Sequence, residues 1–341
     1  MAEIAFMTPG FFETLYRQGL ISEDSFNKVK AAHESPRPDL STELKVLLYL
    51  GVLLSTTGVA VLVYRYIDLL GSLSIALVLA LLVTVIFSYG FLKGPKFVRG
   101  EAKEPSTLFG YMILAGSLLL LILTGYLQTE FGVFGNRWGL ATFVPMCLLF
   151  FLAYYFDHKG VLSLAITNLA AWIGITMNRT NWYGLADMNN DHTIIAGCIL
   201  GVFLIAVSWY CRSSGLKPHF DAVYHQFGSH FLFISTLAGM VHFIEAYLLW
   251  LLLLAAAVYF HVRKAFAEGS FYYLLIASLY GYLGLGFVLS VKVFAKASDS
   301  INTVLYINLC YYLATGIMLA ILLIQKNKEL VQIKIPANDR L

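Results

Sequence analysis

The chain has 341 residues, 59% of them hydrophobic and only 13% charged, with a mean hydropathy of +0.74. Soluble domains average about 25% charged residues, so this composition excludes a water-soluble globular protein, and lipid has to be the solvent for most of the surface. The net charge of +3 comes from residues that flank apolar stretches rather than forming one basic face, which excludes a nucleic-acid-binding role.

Residues 1–35 differ in kind from the rest. Pro9-Gly10 precedes FFETLYRQG, an amphipathic helix ending at Gly19. Ser22 is placed to cap a second helix, with Glu23 and Asp24 in its first turn. Phe26, Val29 and Ala32 recur at helical spacing and can pack on Phe12, Leu15 and Tyr16. The expectation is a short cytoplasmic helix hairpin, too small to hold much core, that docks a protein partner or a second copy. Residues 36–44, with Pro36-Arg37-Pro38, read as a stiff linker. The N-terminal MAEIAFMTPGFF lacks a basic n-region and a small-residue cleavage site, so no removable signal peptide is expected.

The membrane domain is expected over 45–325, with a cytoplasmic tail at 326–341. Its first stretch, KVLLYLGVLLSTTGVAVLVYRY from Lys45 to Tyr66, sets the pattern. A helix of about twenty apolar residues, rising 1.5 Å each, covers a hydrocarbon core of about 30 Å. Nine more stretches follow, at 72–93, 107–127, 138–156, 160–178, 192–211, 227–243, 246–262, 270–291 and 302–325. The segment from Phe227 to Val262 is too long for one crossing, and the polar break His242-Phe243-Ile244-Glu245-Ala246 is the place for it to turn, or to re-enter. Cys147, Cys198 and Cys310 fall inside stretches and Cys211 at the end of one; with no CxxC pair they read as small core residues.

Orientation follows from lysine and arginine. With ten spans and a cytoplasmic N-terminus, the outer loops hold only Arg65, Arg137, Arg179, Lys292 and Lys296, and the remaining 18 of the 23 positive residues face the cytoplasm. Both termini are then cytoplasmic, as expected of a multi-pass protein of the cell inner membrane. Trp138, Trp182 and Tyr183 suit the outer headgroup level, and Trp209 and Tyr210 the inner one.

The hairpin LYRQGLISEDSF and the first span LLYLGVLLSTTGVAVLV resemble a family of predicted bacterial membrane proteins classed as a domain of unknown function. The residues that carry the resemblance are Leu15, Gly19, Leu20, Ile21 and Ser22, then Leu50, Gly51, Gly58 and Val59. It covers residues 12–66 and implies a hairpin followed by a multi-span domain. It implies no activity and no cofactor.

Common enzyme fingerprints are absent: no GxxxxGK[ST], GxSxG, HExxH or zinc CxxC pair occurs. Asp187-Met188-Asn189-Asn190-Asp191 opens like a calcium loop, but His192 stands where glycine is needed and Cys198 where a bidentate glutamate belongs. The strongest cluster is His219, Asp221, His225 and His230 ahead of the seventh span. Asp221 and His225 share a helix face, and His219 can swing in after Pro218, so His219, Asp221 and His225 are a candidate divalent-metal set. The competing reading is a juxtamembrane helix whose histidines splay apart, with His225 in solvent and no metal. For a substrate path the candidates are Asn168 and Asn308 near mid-membrane, with His242 and Glu245 at the proposed turn; the competing readings are hydrogen-bonding between helices and a plain polar turn. Pairs such as Gly51–Ser55, Ala76–Ala80 and Ala277–Gly281 mark close helix contacts.

The sequence therefore predicts an all-α polytopic bundle of about ten spans, with no cofactor. Its leading functional reading is a non-enzymatic membrane component or scaffold, partnered by the bilayer and, through residues 1–35, by a protein. A small-molecule or lipid transporter is the alternative, and a membrane enzyme using His219, Asp221 and His225 is the third.

Overall fold

The computed structural model describes residues 16–23, 25, 26, 41–102, 106–177, 191–296 and 300–334. The linker, most of the hairpin, the calcium-like loop up to Asn190 and the end of the tail lie outside the described residues. The chain divides into two units, residues 1–66 and 67–341.

In the first unit Gly19 adopts φ +70°, with its N–H donating to Tyr16 O. Ser22 Oγ then accepts from Ser25 N–H at 3.3 Å, and Tyr16 stacks on Phe26 at 4.8 Å between ring centroids. α1 (Ser41–Leu70) carries the first expected span. Its described apolar stretch runs from Val46 to Leu62, and Thr56 and Thr57 turn their hydroxyls back onto carbonyls one turn earlier.

The second unit is built from helical hairpins. They are α2 (Ser72–Lys93) with α3 (Thr107–Phe131), α4 (Trp138–Phe156) with α5 (Lys159–Met177), α6 (Asp191–Ser214) with α7 (Asp221–His242), and α8 (Tyr247–Glu268) with α9 (Phe271–Val288). A π-helical turn, Leu289–Val293, closes α9, and α10 (Ile301–Lys334) ends the described chain. Within each hairpin the two helices pack more closely than they do on the next hairpin. Ser106 caps α3 by accepting from Phe109 N–H, and left-handed glycines end α3 at Gly132 and α8 at Gly269.

The protein is an all-α polytopic membrane protein. The described residues form ten α-helices, and eight of these are long and apolar enough to cross a membrane. The other two, α1 and α7, coincide with the first and seventh expected spans. The continuous apolar run does break where the polar pentapeptide predicts: α7 stops at His242 and α8 starts at Tyr247.

α7 is more polar than its neighbours because it lies between helices rather than against lipid. Gly201 of α6 and Gly228 of α7 allow backbone-to-backbone contact; a Cβ on Gly201 would sit 2.6 Å from Leu232 N. On its other side α7 meets α8 and α9, where Phe233, Met240, Leu254, Ala265 and Ala277 are buried together. The cysteines are not uniformly core residues: Cys211 is buried and Cys198 half-buried, but Cys147 and Cys310 are exposed on the outside of the helices. In α9, Gly284 and Gly286 receive Leu254 and Tyr312 side chains, so these glycines serve tight packing.

Candidate functional site

Two polar assemblies lie at the loop ends of the hairpins. The first is centred on Asp157. α4 ends there in a left-handed residue, φ 60°, a conformation that aspartate tolerates better than most side chains. The next residue, His158, starts α5: its carbonyl accepts from Leu162 N–H, and its Nδ1 accepts from Val161 N–H at 3.2 Å. Burial pushes the His158 imidazole down to a pKa of about 4, so it stays neutral and can keep that cap.

The Asp157 carboxylate is almost wholly buried and joins three connections. Oδ2 accepts from Ala102 N–H in the α2–α3 loop. Oδ1 accepts from His219 Nε2 at 2.6 Å and lies 3.1 Å from Lys217 Nζ, both in the α6–α7 connection. Lys217 is fully buried and also left-handed, with φ 50°; its backbone N–H donates to Arg99 O at 2.7 Å, and its ammonium lies 5.2 Å from the Phe97 ring centroid. The ammonium sits off the hydrogen-bond direction of Oδ1, so the contact is an ion pair rather than a hydrogen bond. Taking both charges out of water is costly, and the backbone and His219 donors on the same carboxylate offset that cost.

The second assembly runs from the α6–α7 end into the α7–α8–α9 core. Asp221 accepts from Ser208 Oγ and lies 3.8 Å from Arg212; Arg212 donates to Glu268 at 2.7 Å, and Lys264 pairs with Glu268 at 3.4 Å. Deeper in, His261 and Ser229 are both fully buried. His261 Nδ1 lies 2.7 Å from Ala257 O and so carries the proton. Its Nε2 lies 2.7 Å from Ser229 Oγ, whose hydroxyl donates to His225 O at 2.6 Å. His230 bridges Tyr280 and Tyr272 hydroxyls at 3.0 and 2.8 Å.

The three proposed metal ligands go to three different places. His219 turns to Asp157, Asp221 to Ser208 and Arg212, and His225 to the His261, Phe260 and Tyr273 rings. No group of three or more His, Cys, Asp or Glu side chains among the described residues converges as metal ligands do. His225 is not solvated: it is 2% exposed, because the face of α7 that carries it is covered by α8 and α9.

The substrate-path candidates are dispersed as well. Asn168 Nδ2 donates to Thr142 O of α4 at 2.9 Å. Asn308 accepts from Ser290 in the π turn and donates to Val304 O. His242 meets Asp191 at the far end of α6, while Glu245 is exposed in the turn.

Sequence reasoning missed His261 and Lys217. A histidine inside an apolar stretch is a legible signal, and His261 was one. It also missed Gly197-xxx-Gly201, a small-residue spacing in α6 that here serves contact within the chain, Gly197 against Ser235 and Gly201 against Gly228.

Residues 13–162 match the family model of predicted membrane proteins DUF2157. The matched part takes in the described hairpin residues, α1 to α4 and Asp157, and stops in the first turn of α5. The DUF2157 match therefore covers one side of the Asp157 junction, while Lys217, His219 and the α7–α9 histidines lie beyond it. No curated protein and no solved structure matches the chain.

Proposed function

We propose that this chain is a non-enzymatic component of the cell inner membrane, a multi-pass scaffold with both termini in the cytoplasm whose residues 1–35 dock a protein partner or a second copy. One observation carries the reading: the two asparagines inside the spans are spent on the protein itself, Asn168 on Thr142 of the neighbouring α4 and Asn308 on Ser290 of the π turn and on Val304 of its own helix. A path for a polar solute needs such groups turned toward water. The enzyme alternative loses its residue set, since His219, Asp221 and His225 have separate partners.

Two features support the orientation. Positive residues favour one side 18 to 5. The connections after α2, α4 and α6, which that count assigns to one side, are joined at Asp157. Single cysteines placed at 168 and 308 in a protein lacking Cys147, Cys198, Cys211 and Cys310 test the function. A membrane-impermeant thiol reagent should leave both unlabelled from either side. Labelling of either position means an aqueous path and makes the protein a transporter.

A further inference from the structure

A groove of about 380 Å³ runs along the outside of α8 and α9. On α8 its wall extends from Leu251 to Val262, and on α9 it is formed by Gly281 and Leu285. Gly281 opens the groove by lacking a side chain: a Cβ there would meet Val258 at 3.3 Å. The lining is apolar throughout except for the Tyr259 hydroxyl. Eleven residue steps of helix rise about 17 Å, close to the roughly 15 Å depth of one leaflet in a 30 Å hydrocarbon core. The groove therefore has the length of one acyl chain, and its volume falls within the range of small-molecule sites, about 300–1,000 Å³.

One end of the groove carries a charge. Arg263 follows Val262, is exposed, and holds its guanidinium 5.9 Å from the Tyr259 ring centroid. Its neighbours Lys264 and Arg212 are both committed to Glu268. Arg263 has no acidic partner among the described residues. An apolar slot one leaflet deep, ending at an uncommitted arginine where α8 reaches the membrane surface, matches an anionic phospholipid in both shape and charge.

We propose that the α8–α9 groove binds one anionic phospholipid, with an acyl chain along Leu251–Val262 and the headgroup phosphate on Arg263. Purified full-length protein in detergent, offered phosphatidylglycerol and phosphatidylcholine in equal amounts, tests this by native mass spectrometry of the retained lipid. The wild type should retain phosphatidylglycerol with a preference of about fivefold, the factor that one arginine near a membrane surface supplies. Arg263→Gln should abolish the preference yet keep lipid bound. Gly281→Leu, growing into the groove, should lower retention of both lipids, and Leu285→Trp should do the same from the other wall if the glycine variant yields too little protein. Equal retention of the two lipids by the wild type overturns the proposal, as does unchanged retention in the groove variants.

Discussion

Asp157→Asn keeps the side chain's shape and removes the charge that faces Lys217 and His219. Lys217 is then a buried cation without a counter-charge, which costs about 3–5 kcal/mol when one partner of a buried pair is lost. The purified protein should unfold at a markedly lower temperature, and Asp157→Asn with Lys217→Met should recover part of the loss. A single variant as stable as the wild type would show that the pair carries no weight. His158, beside it, gives the junction a pH dependence. Its pKa is held near 4 by burial, below the unfolded value of 6.5, so the unfolded state binds the extra proton first. Stability should be level above about pH 7 and fall as pH drops from 6.5 toward 4, by about 3 kcal/mol at most for a shift of this size. His158→Asn, which leaves a capping oxygen and removes the titration, should flatten that part of the unfolding-temperature profile.

Gly201 and Gly125 look alike in sequence, each a glycine in an apolar helix, but they have opposite surroundings. A methyl group on Gly201 would meet the backbone of Leu232, and backbone cannot rotate away; at Gly125 the same methyl meets nothing within 4 Å. Gly201→Ala should push α6 and α7 apart and cost about 1–3 kcal/mol. Gly125→Ala should be neutral or stabilising by up to about 1 kcal/mol through helix propensity. Thermal unfolding of the two variants side by side checks this. The contrast shows how far the sequence is legible at this scale. Apolar length placed all ten helices, and the break at His242–Ala246 was readable because helix-long apolar runs must fit one bilayer. Spacing along α7 put Asp221 and His225 on one face but carried no information about which helix covers that face. Asp157, Lys217 and His219 come from connections about sixty residues apart, and no local pattern joins them. His225 looked like a headgroup histidine for the same reason: what buries it arrives later in the chain.

At the scale of the whole molecule the proposed ten-span orientation, with cytoplasmic termini, makes a direct prediction. A cysteine replacing Arg99 should react with an impermeant thiol reagent only from the cytoplasmic side, and one replacing Arg137 only from outside. The reverse pattern would invert the protein, and labelling of both from one side would break the hairpin arrangement. The two ends of the bundle are also tied differently. Far from Asp157, Tyr126 and Glu130 of α3 meet Ser72 at the start of α2, and His242 of α7 meets Asp191 of α6, each joining helices of the same hairpin. At Asp157 one carboxylate holds the bends of three hairpins together. The hairpins α2–α3, α4–α5 and α6–α7 are thus fingers sharing one knuckle. Rocking of one finger against another has its pivot at that knuckle, where displacement vanishes, and grows toward the opposite leaflet. Over the roughly 36 Å length of α6 a tilt of about 5° moves the far tip by about 3 Å, so rocking of these three hairpins is felt mainly at the membrane face away from Asp157.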